Sequence, residues 1–350
     1  MDKPNAQAKW NKNSIAKVLG SYSFVFIFVI IFVAFLATNS SALTLSGAFN
    51  TLRHSVVVGI IALGMGLVII TGGIDLSVGS MLAIISGLSV DVFNATNSTA
   101  ITLLFALAMG VACGFLNGIL VGRIKMPAFI ATLGTMMIYR SLAQYYLRAT
   151  AGVSRRSIFN MDGTLSAYEN FYGFGQAKLF SVIPVVGLVL IAAVIIMVFI
   201  STSTKFGKQV YAIGSNERAA QLAGINVART RVMVFVITGL LCGLASFLGL
   251  AMQGSVDPAT IGKSNEMYAI AAVVIGGISM SGGKGKLLGV LFGALSYTSI
   301  DKIIAALKLD ALINDTIKGS ILLVAVLVQL MIPLLRAKLR ELIKNTPFHL

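Results

Sequence analysis

Apolar residues gather along this chain in long runs separated by short polar breaks. The runs cover residues 21–37, 55–70, 76–93, 100–121, 128–147, 180–201, 232–252, 269–280, 287–306 and 313–335. A helix needs about 20 mostly apolar residues to cross the hydrocarbon of a bilayer. The pattern therefore predicts an all-α membrane protein, a polytopic bundle of about ten transmembrane helices. Two of the runs are short or glycine-rich, as happens where helices pack closely through small residues. The first run is long and lacks a clear small-residue cleavage site, so it reads as a retained span and not as a signal peptide. In outline, residues 1–20 form an N-terminal tail, 21–335 the transmembrane domain and 336–350 a C-terminal tail.

Composition leads to the same class. Of 350 residues, 57% are apolar and only 11% charged, with a mean hydropathy of +0.91. A soluble domain carries roughly twice that share of charge. The net charge of +15 would fit a nucleic-acid binder. The Lys and Arg residues lie between apolar runs, however, and form no single basic face, so topology accounts for them and no nucleic-acid partner is expected. Cys113 and Cys242 fall inside apolar runs and read as small buried hydrophobes. His54 and His349 are too few and too isolated for a metal site, and no cofactor is expected on this chain.

Basic residues concentrate in cytoplasmic loops. With the N-terminus inside and ten crossings, the inner segments hold Lys3, Lys9, Lys12, Lys17, Arg123, Lys125, Lys205, Lys208, Arg218, Arg229, Arg231, Lys284 and Lys286, together with the basic C-terminal tail. The outer segments keep Arg53, Arg148, Arg155, Arg156, Lys178, Lys263, Lys302, Lys308 and Lys318. This bias of roughly two to one predicts both termini in the cytoplasm. Three connections are long enough to meet partners: the outer segments 148–179 and 253–268, and the polar inner segment 202–230.

A phosphate-cradling loop needs G-x-x-x-x-G-K-[ST]. The nearest candidate, Ser281-Gly-Gly-Lys-Gly-Lys286, has Gly285 where a hydroxyl residue must follow Lys284. It reads as a tight basic turn between two spans, so any ATP hydrolysis must come from another subunit. In the inner segment, Asn216 can cap a short helix and Glu217 complements its dipole. Ala219, Ala220, Leu222 and Ala223 offer a small apolar face, and Gly224 is a favoured stop. Such a helix can seat in a partner's groove, or it can be an ordinary connector. Asp75, at the inner end of the second span, is costly at membrane depth unless it is partnered or faces water. Ser77 and Ser80 could cap the helix that follows, which would make this stretch structural; the other reading is a hinge or gate. Arg140, inside the fifth span, needs a partner, an aqueous path or a route to the outer interface. Gly72-Gly-Ile74 and Gly276-Gly-Ile278 hint weakly at internal duplication.

Four ordered blocks carry a resemblance. They are Thr71-Gly-Gly-Ile-Asp-Leu-Ser-Val-Gly-Ser80; Asn117-Gly-x-x-Val121 with Pro127-x-Phe-Ile-x-Thr-Leu-Gly-Thr135; Ala212-Ile-Gly-x-Asn-Glu-x-Ala-Ala-x-x-x-Gly-Ile-Asn-Val227; and Ala269-Ile-Ala-Ala-Val-Val-Ile-Gly-Gly277 through Ser281-Gly-Gly-x-Gly285. Together they resemble the permeases of bacterial monosaccharide ABC importers of the ribose, galactose and xylose type. Glu266-Met-Tyr268 departs from the family's usual acidic residue immediately before the Ala269 block, which bears on the sugar's identity.

The resemblance implies a type II importer fold and a permease homodimer in the inner membrane, with the pathway between the copies. It also implies a periplasmic sugar-binding protein and a cytoplasmic ABC ATPase that carries the ATP and Mg. It marks Gly214, Asn216, Glu217, Ala219, Ala220, Gly224 and Ile225 as the ATPase-coupling residues. Asp75, Ser77, Asn117, Arg140 and Glu266 are the gate and pathway candidates. A permease for another small polar solute, such as a nucleoside or a branched-chain amino acid, and an ion-coupled secondary transporter remain the alternatives. The latter would need paired carboxylates or broken helices near the midplane.

Overall fold

The computed structural model describes residues 22–39, 43–150, 158–257, 259–308, 316–324, 326, 327 and 331, with 147–150 by their backbone alone. The two tails, Arg155, Arg156 and much of the run 313–335 lie outside the described residues. In chain order the helices are α1 Ser23–Thr38, α2 Leu45–His54, α3 Val56–Ile70, α4 Val78–Thr96, α5 Thr99–Gly118 and α6 Ala128–Thr150. There follow α7 Tyr168–Gln176, α8 Val185–Ser203, α9 Lys205–Ser215, α10 Glu217–Leu222, α11 Val227–Gln253, α12 Asn265–Ile275 and α13 Leu287–Ala306. A π-helical turn, Ile119–Arg123, extends α5. Two ribbons of two-residue strands complete the described elements. In one, β1 (Phe159–Asn160) pairs antiparallel with β4 (Ser255–Val256); in the other, β2 (Lys178–Leu179) pairs with β3 (Ile183–Pro184).

The molecule is mostly helical, as expected, but the spans are less uniform than the sequence pattern predicts. Five helices among the described residues are long and apolar enough to cross a membrane, or six if α2 and α3, bent by 48°, form one span. Helix α1 and the 11-residue α12 are apolar but shorter. Helix α6 reaches 23 residues, yet Arg140, Gln144 and its hydroxyl residues dilute its hydropathy. The run from 180 does not open as a helix, because Ile183–Pro184 first folds back on Lys178–Leu179, and α8 starts only at Val185. The run 269–280 is helical only to Ile275.

Helix α3 lies at the centre and is buried along almost its whole length, the position required of a helix that is apolar all round. It runs antiparallel to α11, with Val57 against Gly249 and Gly64 against Thr238. These two helices define a lower end, at Ile70 and Val227, and an upper end, at Val56 and Gln253. Helix α6 and helix α8 turn Met137, Ile138, Ile195 and Phe199 outward, as lipid-facing walls should.

The tightest packing joins α5 to α11. Gly110, Gly114, Gly118 and Gly122 recur every fourth residue and so share one face. A side chain at any of them would strike the backbone of α11, from Gly243 at the top to Ala228 at the bottom. Small residues at this spacing let two helices touch through their main chains, which compensates for the lack of a hydrophobic drive between helices in lipid.

Candidate functional site

The inner-segment helix forms as its caps dictate. Asn216 Oδ1 accepts the Ala219 N–H at 3.0 Å. Gly224 adopts φ +79°, and the amides of Gly224 and Ile225 return to the carbonyls of Gln221 and Ala220, each at 3.0 Å. This paired closure satisfies carbonyls that a helix end otherwise leaves open. The apolar residues of α10 divide between two sides. Ala220 is buried against Ile213 and Val227, with Ile225 packed beside them, so it serves the chain's own core. Ala219, Leu222 and Ala223 are exposed, Leu222 at 86%. Gly214 belongs to α9, where its backbone meets Ile70 and Gly283. The basic turn is anchored at the same place, through Gly283 N–H to Ile70 O at 2.9 Å.

A connection absent from the sequence reading holds α10 in place. Arg231 donates two hydrogen bonds to Glu217, Nη1 to Oε1 at 3.1 Å and Nη2 to Oε2 at 2.7 Å. A parallel fork of this kind fixes orientation as well as distance. Sequence reasoning had assigned Arg231 only to topology. The signal lay in a carboxylate and a guanidinium flanking a short helix, 14 residues apart, which no fixed spacing rule identifies.

The gate candidates fall into two groups. Asp75, Ser77 and Asn117 are fully buried together. Asp75 Oδ1 accepts the Ser77 N–H at 2.9 Å and the Ser77 hydroxyl at 2.6 Å, and Asn117 Nδ2 donates to Ser77 Oγ at 2.8 Å. The expectation that Ser77 caps the next helix with its side chain therefore fails, because its hydroxyl is committed to Asp75. Ser80 bonds back to Ser77 O at 2.8 Å. Arg140 and Glu266 form the second group. Arg140 Nη1 donates to Ile261 O at 2.6 Å, and the two opposite charges attract. Arg140 is thus partnered inside the bundle and does not reach for the interface.

The segment 253–268 divides in two. Its start pairs with residues 159 and 160, Phe159 opposite Val256 and Asn160 opposite Ser255. Its middle then turns into the bundle, where Gly262 and Gly79 meet backbone to backbone with no room for a Cβ on either. The Gly-Gly-Ile echo also shifts on inspection. Both α3 and α12 end in the same paired closure, but Thr71-Gly72 corresponds to Gly276-Gly277, one residue out of the sequence register.

Two cavities flank this contact. The upper one, about 440 Å³, is lined by His54, Val57, Leu82, Gln253, Thr260 and Asn265 among others. The lower one, about 400 Å³, is lined by Thr71, Gly73, Ile74, Val121, Lys125 and Arg231 among others. Residues 75–81 separate them, and every one is buried. His54, Gln253 and Asn265 were not singled out from the sequence as site residues. They come from three elements and converge only in the fold.

The chain matches the family model described as branched-chain amino acid transport system / permease component over residues 47–328. It is 37% identical over 321 residues to the ribose import permease protein of Bacillus subtilis (strain 168), covering 92% of this chain and 95% of that one. It is 35% identical to the ribose import permease protein of Escherichia coli (strain K12), covering 86% and 91% of the two chains. The xylose transport system permease protein of Haemophilus influenzae (strain ATCC 51907 / DSM 11121 / KW20 / Rd) is 33% identical, with 83% and 90% covered. No solved structure matches the chain.

Proposed function

The chain belongs to the branched-chain amino acid transport system / permease component family, and from that premise we propose that it is the membrane-spanning subunit of an ATP-driven importer for a monosaccharide. The observation that carries this reading is the identity to a ribose import permease of 37% over nearly the full length of both chains. Charge placement supports an orientation with both termini in the cytoplasm, so the lower end is the inner one. About ten crossings in a type II arrangement fit the family.

In this reading α10 meets a cytoplasmic ABC ATPase through Ala219, Leu222 and Ala223. Its caps, from Asn216 to Gly224 and Ile225, keep it rigid, so a push on it is transmitted and not absorbed. The Glu217–Arg231 fork passes that push to the foot of α11, and Gly214 passes it to the end of α3. Arg231 also borders the lower cavity, so the coupling helix and the inner mouth share a residue. The Asp75–Ser77–Asn117 cluster and the Arg140–Glu266 group form the closed layer that movement of these helices would open. A periplasmic sugar-binding protein docks at the upper end, where the β1–β4 ribbon joins the two long outer segments. A homodimer completes the importer, with ATP and Mg held by the ATPase.

The family's description favours a second reading, import of a branched-chain amino acid. The deciding experiment reconstitutes the chain with its ATPase and binding protein in liposomes and follows ATP hydrolysis and solute uptake. Ribose-, xylose- or galactose-stimulated hydrolysis with uptake is the expected result. Stimulation by leucine alone selects the second reading. Uptake driven by an imposed proton or sodium gradient, with no ATPase bound, sinks both.

A further inference from the structure

The family resemblance puts the pathway between two copies, yet the upper cavity lies within a single chain. We propose that this cavity is itself a binding site for a neutral polyhydroxylated ligand of monosaccharide size, held by His54, Gln253 and Asn265 above a floor made by Gly79 and Gly262. The proposal rests on the importer reading and deepens it.

Three features carry it. The first is size: at about 440 Å³ the cavity falls within the range of small-molecule sites, with room for one sugar and some water. The second is the chemistry of the wall. An imidazole and two carboxamides each offer donors and acceptors, as a hydroxyl-rich ligand requires. Among the described residues these three side chains make no hydrogen bond, and His54 and Gln253 are exposed with Asn265 half-buried beside them, so all three can reach a ligand. Val57 and Leu82 supply apolar surface for the C–H face of a ring.

The third feature is charge. No Lys or Arg lines the cavity among the described residues, and the cations Arg53 and Lys302 act on the His54 imidazole without entering the wall. Its one carboxylate, Asp257, is already engaged, Oδ1 by the Ala259 N–H at 2.9 Å and Oδ2 by the Thr260 hydroxyl at 2.9 Å. An amino acid needs a partner for its carboxylate and another for its ammonium, because unpaired charges taken from water are costly. A neutral polyol needs neither. The floor explains why a ligand would stop here: Gly262 meets Gly79 backbone to backbone, and Arg140 fastens the neighbouring carbonyl of Ile261 from behind at 2.6 Å.

The test uses the full chain in lipid nanodiscs, without its partners. Ser255→Cys puts a thiol in the cavity wall, and Ala95→Cys puts one on the exposed upper end of α4; the native Cys113 and Cys242 are buried. Alkylation by a maleimide is timed against rising ribose, xylose, galactose, mannitol and leucine. A bound ligand at about twice its Kd slows the reaction about threefold through occupancy alone. At least one monosaccharide should slow Ser255→Cys to this extent and leave Ala95→Cys unchanged. The added pair Gln253→Ala and Asn265→Ala should abolish the protection while the protein still elutes as a single species.

The proposal is overturned if no sugar protects, if both thiols are protected alike, if the double substitution leaves protection intact, or if leucine protects and sugars do not. ATP-driven sugar uptake by the complete importer without protection removes the site and leaves the importer reading standing. Protection with no ATP-driven uptake keeps the site and removes the importer reading.

Discussion

The two cavities are nearly equal in volume, about 440 and 400 Å³, but their walls are built from different chemistry. The upper wall presents neutral side chains with unused hydrogen-bonding capacity. The lower wall is formed by the helix break from Thr71 to Ile74 and the stretch from Lys125 to Phe129, with Arg231 beside them already held by Glu217. In the importer proposed above, the upper space would receive a neutral polar solute, and the lower one, with fewer free partners, would release it. The two also differ in what they are tied to, since the upper wall continues into the β1–β4 ribbon and the lower wall into α10.

The contrast can be broken most severely at the scaffold common to both. Gly114→Leu would drive a side chain into the Phe235 carbonyl. Overpacking of a tight core costs typically 1–3 kcal/mol and more where backbone is struck, so about 3 kcal/mol is expected here. Detergent-solubilised protein should melt far below wild type or fail to elute as a single species. A wild-type melting curve would show that α5 and α11 separate freely.

The next effect is confined to the lower region. Gly224→Leu forces a branched residue into the left-handed region, at a cost of about 1–2 kcal/mol. Uptake should be abolished while membrane insertion and melting stay close to wild type. Normal uptake would count heavily against α10 as the coupling element.

The Glu217–Arg231 fork should give a smaller and more selective change. Glu217 is 42% exposed and Arg231 24%, so the pair contributes no more than about 1 kcal/mol to stability. Arg231→Gln should therefore leave the fold intact but lower sugar-stimulated ATP hydrolysis several-fold, and exchanging the two charges should restore part of it. Equal losses of melting temperature and hydrolysis would reduce the fork to a structural brace.

The smallest effect lies at the upper rim. The Thr164 hydroxyl and amide hydrogen-bond to the Asp162 carboxylate and hold it below the usual carboxylate range. A depressed carboxylate supports the folded loop above its unfolded pKa and loses that support as pH falls through the folded value. The protection of residues 158–166 against hydrogen exchange, taken relative to the intrinsic rate at each pH, should fall on acidification below the ordinary carboxylate range. In Thr164→Ala that loss of protection should begin at higher pH. Identical profiles would mean that the β1–β4 ribbon alone holds this rim.

What could be read from the sequence follows the range of the forces involved. The α10 helix was legible because its caps are local, with Asn216 and Gly224 acting on neighbours a few residues away. The placement of Asp75 with Ser77 was half legible: both residues were marked, but the direction of the serine hydroxyl was set by Asn117, 40 positions further along. The glycines at 110, 114, 118 and 122 form a four-residue repeat, but in a chain with 35 glycines that spacing alone does not say which helix they meet. The Gly79–Gly262 contact and the convergence of His54, Gln253 and Asn265 had no local signature. Those residues come together only because the segment after Val256 turns back into the bundle.

The backbone seam between α5 and α11 has a consequence for motion. Side chains in an ordinary interface can change rotamer and let one helix slide on another, but a seam of glycines has no rotamers to change. In the importer proposed above, the two helices would turn as one beam, and opening toward either side would be a tilt about that seam, with α10 as the short arm of the lever.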